Sequence, residues 1–314
     1  MRSDSRFFVS NLQDDELIRQ IDSLLETITE SDKRIFLNYV ELTRHIIELD
    51  KLFNVFRYNL TNLLKHFTIF TNDLIESTGE KLTEDQYYYQ INALTINLIS
   101  SAKTLTESIE VCMKNFLAEK DFKSFKNKIL SKPYDEHFSY RFLLHVRNYS
   151  QHGHLPVNIE QQRVYFDLDE ILTMPHFDLN EKLKSEIDEI KEDISARFED
   201  FPRISYVYTI AKFNLITTEI YLNYLKEVKP ILMEMDKEKN ELLLNTKFKL
   251  TNSDGKSSDV VFYDFDGENY HCFNRTDNSL SMYASIKKEV KKILREEEQY
   301  YKEIKTSKYH NHQY

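Results

Sequence analysis

Four side chains near the middle of the sequence, Arg141, His145, Asn148 and His152, follow one another at steps of 4, 3 and 4. On a helix that spacing puts them in one column on one face. A second column, Phe138, Phe142, Val146 and Tyr149, runs beside it as an apolar anchor, and Arg147 lies next to Asn148 at the edge of the polar face. A helix that packs with one stripe and crowds Arg, Asn and His on another is not composed like a plain core helix. These residue types suit cleavage of RNA without a metal. That reaction needs a group to take the 2′-hydroxyl proton, positive charge on the phosphorane, and a proton for the leaving 5′-oxygen. Histidine is the side chain whose unperturbed pKa fits proton transfer near neutrality. Arginine offers a permanently charged fork of donors that matches phosphate oxygens. A neighbouring Asn can orient either group.

The segment Arg147-Asn148-Tyr149-Ser150-Gln151-His152 resembles the signature of the HEPN superfamily, an Arg followed four to six residues later by His, with a polar residue after the Arg. It runs into Gly153-His154-Leu155-Pro156, a context this family often shows, and the resemblance covers residues 83 to 156. It implies a helical bundle that forms a homodimer, so that two motifs face each other across a shared cleft. It also implies metal-independent endoribonuclease activity leaving a 2′,3′-cyclic phosphate. By that resemblance Arg147 holds phosphate, His152 is the acid-base group and Asn148 orients them. Arg141, His145, Tyr149 and His154 lie outside the motif proper and stand as accessory candidates. Proteins with this motif often serve in toxin–antitoxin or anti-phage defence, which implies an RNA substrate, such as a single strand or a tRNA loop, and an antitoxin or activating partner. Some members of the superfamily have lost activity and act as binding modules.

Other chemistries find less support. His145, His152 and His154 have no carboxylate or Cys at ligand spacing beside them, so no zinc site is expected. Asp264-Phe265-Asp266-Gly267 reads as a hairpin turn rather than a kinase metal motif, since no Gly-rich loop or strand lysine accompanies it. There is no Walker loop, no Gly-x-Gly-x-x-Gly and no Gly-x-Ser-x-Gly, and no cofactor is expected. A plainer reading makes Arg147 a surface arginine and His152 a histidine stabilised by the helix dipole. The rival function is then a non-catalytic helical interaction protein.

Net charge is −10, which argues against a general nucleic-acid coat protein. Between Lys114 and His152, however, eight Lys and Arg stand against four carboxylates, so that this window is locally basic. Two cysteines, Cys112 and Cys272, cannot build a disulfide framework and fit a reducing compartment. No apolar run is long enough for a signal peptide or a bilayer span, so a soluble cytoplasmic protein with no membrane partner is expected.

With only 4 Gly and 5 Pro in 314 residues, long helices must position these groups. The expected fold is mainly α, a HEPN-like helical bundle with extra helices and a small antiparallel β element near the C-terminus. Helices are expected over 14–29 (entered through Asn11), 31–59 and 63–76. The next opens on a capping box of Thr83 and Gln86. Its apolar positions Ile91, Leu94, Leu98, Ala102, Leu105, Ile109, Met113 and Phe116 describe one stripe, a core or an interface. A basic helix over 121–130 is broken by Pro133, and the motif helix runs over 134–152, stopped by Gly153. A hairpin over 157–168 follows, then helices from Asp178, over 202–228, after Pro230 and over 285–304. Strands are expected at 248–250, 260–265 and 270–273, with turns at Asp254-Gly255 and Asp266-Gly267. The sequence so read divides into residues 1–156, a HEPN-like domain, and 157–314, a helical region with a β-meander at about 247–276.

Overall fold

A computed structural model of the chain describes residues 15–71, 83–160, 163–173, 181–197, 203–245, 248, 250, 259–275 and 278–306. The fold is mainly helical, with a small antiparallel hairpin near the C-terminus. The chain divides into two compact units: residues 1–48 with 226–286, and residues 49–225 with 287–314. Pro156, after which the sequence reading begins its second region, lies inside the second of these. Asn11, Asp178, Pro202 and the Asp254-Gly255 turn fall outside the described residues.

In the first unit, helix α1 (Asp15–Thr27) is followed by the start of α2 (Glu30–Thr71). Thr29 and Asp32 fasten the start of α2: the Asp32 amide donates to Thr29 Oγ1 (3.2 Å) and the Thr29 amide to Asp32 Oδ2 (3.1 Å). Ile21, Leu24 and Phe36 share a core with Phe248, Leu250, Val261, Phe262 and Phe273. The ring of Phe36 meets Phe248 edge-on at 5.2 Å between centroids. The hairpin pairs β4 (Val260–Phe265) with β5 (Tyr270–Asn274) in antiparallel register. Its turn is fastened by Asp266 Oδ1, which accepts from the amides of Glu268 (2.9 Å) and Asn269 (2.7 Å), beside Gly267 at φ 96°. The expected third strand is absent among the described residues. Phe248 lies in a short helical turn and Leu250 has no regular structure, yet both are buried. Their alternation records two anchors in a core rather than a paired strand.

The second unit holds the rest of α2, then α3 (Glu84–Phe116), α4 (Glu119–Phe125), π-helical turns at Lys126–Ser131, α5 (Lys132–Glu136) and α6 (Phe138–Gln151). The Thr83 and Gln86 box closes α3 as its residues dictate: the Gln86 amide donates to Thr83 Oγ1 (3.2 Å), and the Thr83 amide to Gln86 Oε1 (3.0 Å). Ile91, Leu98, Ala102, Leu105, Ile109 and Met113 of its stripe are buried. A three-stranded antiparallel sheet has the order β1 (Asn158–Glu160), β2 (Arg163–Asp167), β3 (Arg203–Ser205). Short α7 (Leu168–Thr173) and then α8 (Glu181–Arg197) lie between β2 and β3, and α9 (Tyr206–Leu243) leads out of β3. The final helix is α10 (Ser279–Thr306).

Several expected boundaries need correction. Residues 31–59 and 63–71 belong to the single helix α2, because Phe53, Phe56, Leu60 and Leu63 carry one buried face across the expected gap. Pro230 lies within α9 rather than between helices; Val228 and Leu232 are buried on either side of it. Pro133 does not end a helix. It occupies the first turn of α5, where a missing N–H costs little. The chain turns instead at His137 (φ −120°, ψ 108°), so the motif helix begins at Phe138, four residues later than expected. Arg203–Ser205 form a strand and not a first helical turn, since Ile204 is needed beside Phe166 in the sheet register. The last helix starts at Ser279, six residues ahead of 285.

Candidate functional site

The apolar column of α6 behaves as its residues require. Phe142, Val146 and Tyr149 are buried, and Phe142 meets Phe166 of β2 edge-on at 5.4 Å. The helix ends where Gly153 takes φ 89° and its amide donates to the Ser150 carbonyl (3.1 Å). Beyond it, the Asn92 side chain of α3 acts as a substitute strand. Its Nδ2 donates to the Val157 carbonyl and its Oδ1 accepts from the Val157 amide, both at 2.9 Å. The chain leaving the motif is therefore tied directly to α3.

The polar column does not form one open face. Arg141 is 1% exposed and serves the structure. Its Nε donates to Glu186 of α8 (3.2 Å), as does Nη2, while Nη1 donates to the carbonyls of Tyr134 and of Asp135 (3.0 Å). The break at His137 strands those carbonyls at the end of α5, and a buried guanidinium supplies their donors. Arg141 is thus enclosed, with its donors engaged within the fold. His145 Nε2 lies 2.9 Å from the Tyr134 hydroxyl, which engages it with the same turn.

The residues of the motif proper emerge at the end of α6. Arg147 is half-buried, with Nη1 at 3.4 Å from Gln151 Oε1, a long contact. Asn148 is half-buried. His152 is exposed at the helix cap (φ −93°, ψ 13°) and its amide donates to the Tyr149 carbonyl (3.2 Å). Asn148 and His152 share a face. Arg147 and His152, five residues apart, point roughly 140° apart about the axis of a regular helix. His154 packs its ring on Tyr149, with centroids 4.9 Å apart. Burial pushes the Tyr149 phenol up to about 12, with Glu170 adding to the push, so it stays neutral near pH 7.

The local basic count is softened by pairing. Lys126 meets Glu110 (2.5 Å), Lys123 meets Glu119 (2.7 Å), Lys132 meets Glu136 (3.7 Å), and Arg141 meets Glu186. Glu110 and Glu186 lie outside residues 114–152, so the field of that segment is weaker than its own charges imply. Among the described residues no three His, Cys, Asp or Glu gather as ligands for a metal ion. No helix among them is long and apolar enough to cross a membrane. No protein-family model matches this chain, and comparison with curated proteins and with solved structures finds no match.

One polar cluster escapes the sequence reading altogether. Arg57 of α2 donates through Nη1 to Asn214 Oδ1 of α9 (3.3 Å) and to Glu297 Oε1 of α10. Glu297 is 7% exposed, and its Oε2 is buried without a hydrogen-bond partner among the described residues. Burial pushes this carboxyl up to about 7 against the opposing pull of Arg57, Thr218 and Asn214, and Glu219 adds to the push. A signal existed: Tyr283, Val290, Glu297 and Ile304 recur every seven residues and are all buried, so Glu297 falls on an apolar column.

Proposed function

We propose that this chain is a metal-independent endoribonuclease of HEPN type, acting in the cytoplasm in toxin–antitoxin or anti-phage defence. The 2′-hydroxyl attacks the adjacent phosphorus, the bond to the 5′-oxygen breaks, and a 2′,3′-cyclic phosphate remains. His152 serves proton transfer, Arg147 holds the phosphate and Asn148 orients them. One observation carries this reading: the motif surfaces at the end of α6, His152 exposed and Arg147 part-exposed, while the helix behind it is buried and anchored. The wide angle between Arg147 and His152 within one copy favours a site completed by a second copy, with the Arg of one chain and the His of the other on the same phosphate.

The test is incubation of the purified chain with total RNA in EDTA. Cleavage that ends in cyclic phosphate and is lost in Arg147→Ala and His152→Ala supports the reading. Intact RNA with the folded native chain, alone and with the proteins that co-purify with it, overturns it.

A second reading, a non-catalytic helical interaction protein, draws support from Val55 (50% exposed) and Tyr58 (67% exposed), which lie one turn apart on α2. An intact-RNA result would leave this reading standing.

A further inference from the structure

The second unit contains a cavity of about 180 Å³ whose lining includes the Arg57–Glu297 pair. Leu60 and Leu63 of α2 and Val207 and Ile210 of α9 give it apolar walls, and Tyr300 of α10 also lines it. An apolar pocket with a few converging polar groups is the usual form of a small-molecule site.

Of the polar groups lining the cavity, Arg57 keeps donors that are not spent within the fold. Arg57 has five N–H groups, and only Nη1 is spent, on Asn214 and Glu297. Its Nε and Nη2 have no hydrogen-bond partner among the described residues, and its side chain keeps 25% of its exposure. Of the Glu297 carboxylate, one oxygen is taken by Arg57 and the second is buried. Thr218 Oγ1 is buried beside it and pulls against the upward push of burial on Glu297. Glu296, also lining the cavity, is on the surface and paired with Lys292 (3.7 Å). A molecule in the cavity is surrounded by apolar side chains, with the guanidinium of Arg57 among them and the exposed carboxylate of Glu296 also on the lining.

We propose that this cavity binds a small carboxylate with an apolar chain, its two oxygens accepting from the unused N–H groups of Arg57 and its chain lying against Leu60, Leu63 and Ile210. A carboxylate matches the planar fork of a guanidinium. A phosphate monoester would bring a second charge into an apolar space, and an amine would meet donors with donors. The arrangement also couples binding to a proton. When Glu297 is neutral, Arg57 has no counter-charge and receives the ligand anion. When Glu297 is ionised, the anion meets a guanidinium already neutralised. The groups facing Glu297 are Arg57 from α2 and Asn214, Thr218 and Glu219 from α9. Of these only Glu219 shares its sign, so an added anion raises the affinity of Glu297 for its proton. Binding therefore takes up a proton above about pH 7, and affinity falls with rising pH by up to about tenfold per unit.

The experiment is calorimetric titration of the full chain with hexanoate, hexylamine and hexanol at pH 6.5 and 8.5, in buffers of differing ionisation heat. The expected result is that hexanoate binds at pH 6.5, binds at least tenfold more weakly at pH 8.5 and takes up a proton at the higher pH, whereas hexylamine does not bind. Val207→Trp fills the cavity from a half-buried wall position, leaves the ion pair in place and should abolish the hexanoate heat in a protein that melts cooperatively. Absence of hexanoate binding at pH 6.5, undiminished binding in folded Val207→Trp, or preference for hexylamine would each overturn the proposal.

Discussion

The guanidinium of Arg141 is enclosed between the carboxylate of Glu186 and the stranded carbonyls of Tyr134 and Asp135, fastening the turn before α6 to α8. Arg141→Ala removes all of these donors and leaves a part-buried carboxylate unpaired, so it should cost about 3–5 kcal/mol in urea unfolding. Adding Glu186→Leu should recover only part of the loss, because the Tyr134 carbonyl still lacks its donor. A change under about 1 kcal/mol would show that the clamp is unimportant.

Asn92 makes two hydrogen bonds to the backbone of Val157, both buried. Asn92→Leu should cost about 2–3 kcal/mol, since a buried amide and carbonyl are orphaned together. Hydrogen exchange at the Val157 amide should rise well before the rest of α6 loosens. Equal protection in the variant would contradict the substitute-strand role.

Arg147 and His152 stand at the surface end of the same helix, His152 exposed and Arg147 half-buried. Arg147→Ala and His152→Ala should each leave the free energy of unfolding within about 0.5 kcal/mol of the native chain. RNA cleavage should nevertheless fall by about 10²-fold or more, the scale of a lost acid-base group. Parallel losses of stability and cleavage would mean that these residues act through the fold.

Glu297 makes stability depend on pH in a stated direction. Its folded pKa, pushed up to about 7 from a usual 4.5, means that the folded state binds more protons than the unfolded state. Its contribution is fully present below about pH 4.5 and is lost as pH rises through about 7, a change of about 3 kcal/mol. Glu297→Gln should therefore be more stable than the native chain at pH 8 and no more stable at pH 4.5. Matching pH profiles for the two proteins would refute this.

Local instructions are the ones that can be read directly from the residues. The Thr83 and Gln86 box, the stripe from Ile91 to Met113, the stop at Gly153 and the Asp266-Gly267 turn each depend on neighbours a few positions away. Features set by distant partners are not visible that way. Spacing alone put Arg141 in a column with His145 and Asn148, but Glu186, 45 residues on, decides that it is buried. Three residues, Arg203–Ser205, carry too short an alternation to announce a strand, and the sheet edge at β2 recruits them. Pro230 reads as a boundary until buried residues on both sides hold the helix together. Of the motif, its position at a helix end was legible; the pairing of His145 with Tyr134 and of His154 with Tyr149 was not.

The first unit is assembled from both ends of a long interval in the chain: the Tyr39 hydroxyl donates to Ser279 Oγ (2.8 Å), 240 residues further on. During synthesis at about 5–20 residues per second, the face bearing Ile21, Leu24 and Phe36 therefore waits on the order of tens of seconds for Val261 and Phe273 to leave the ribosome. Nascent chains of this protein must travel that interval with an unpaired greasy surface. Truncation anywhere before the hairpin leaves that surface permanently uncovered, a fragment suited to chaperone capture and rapid proteolysis.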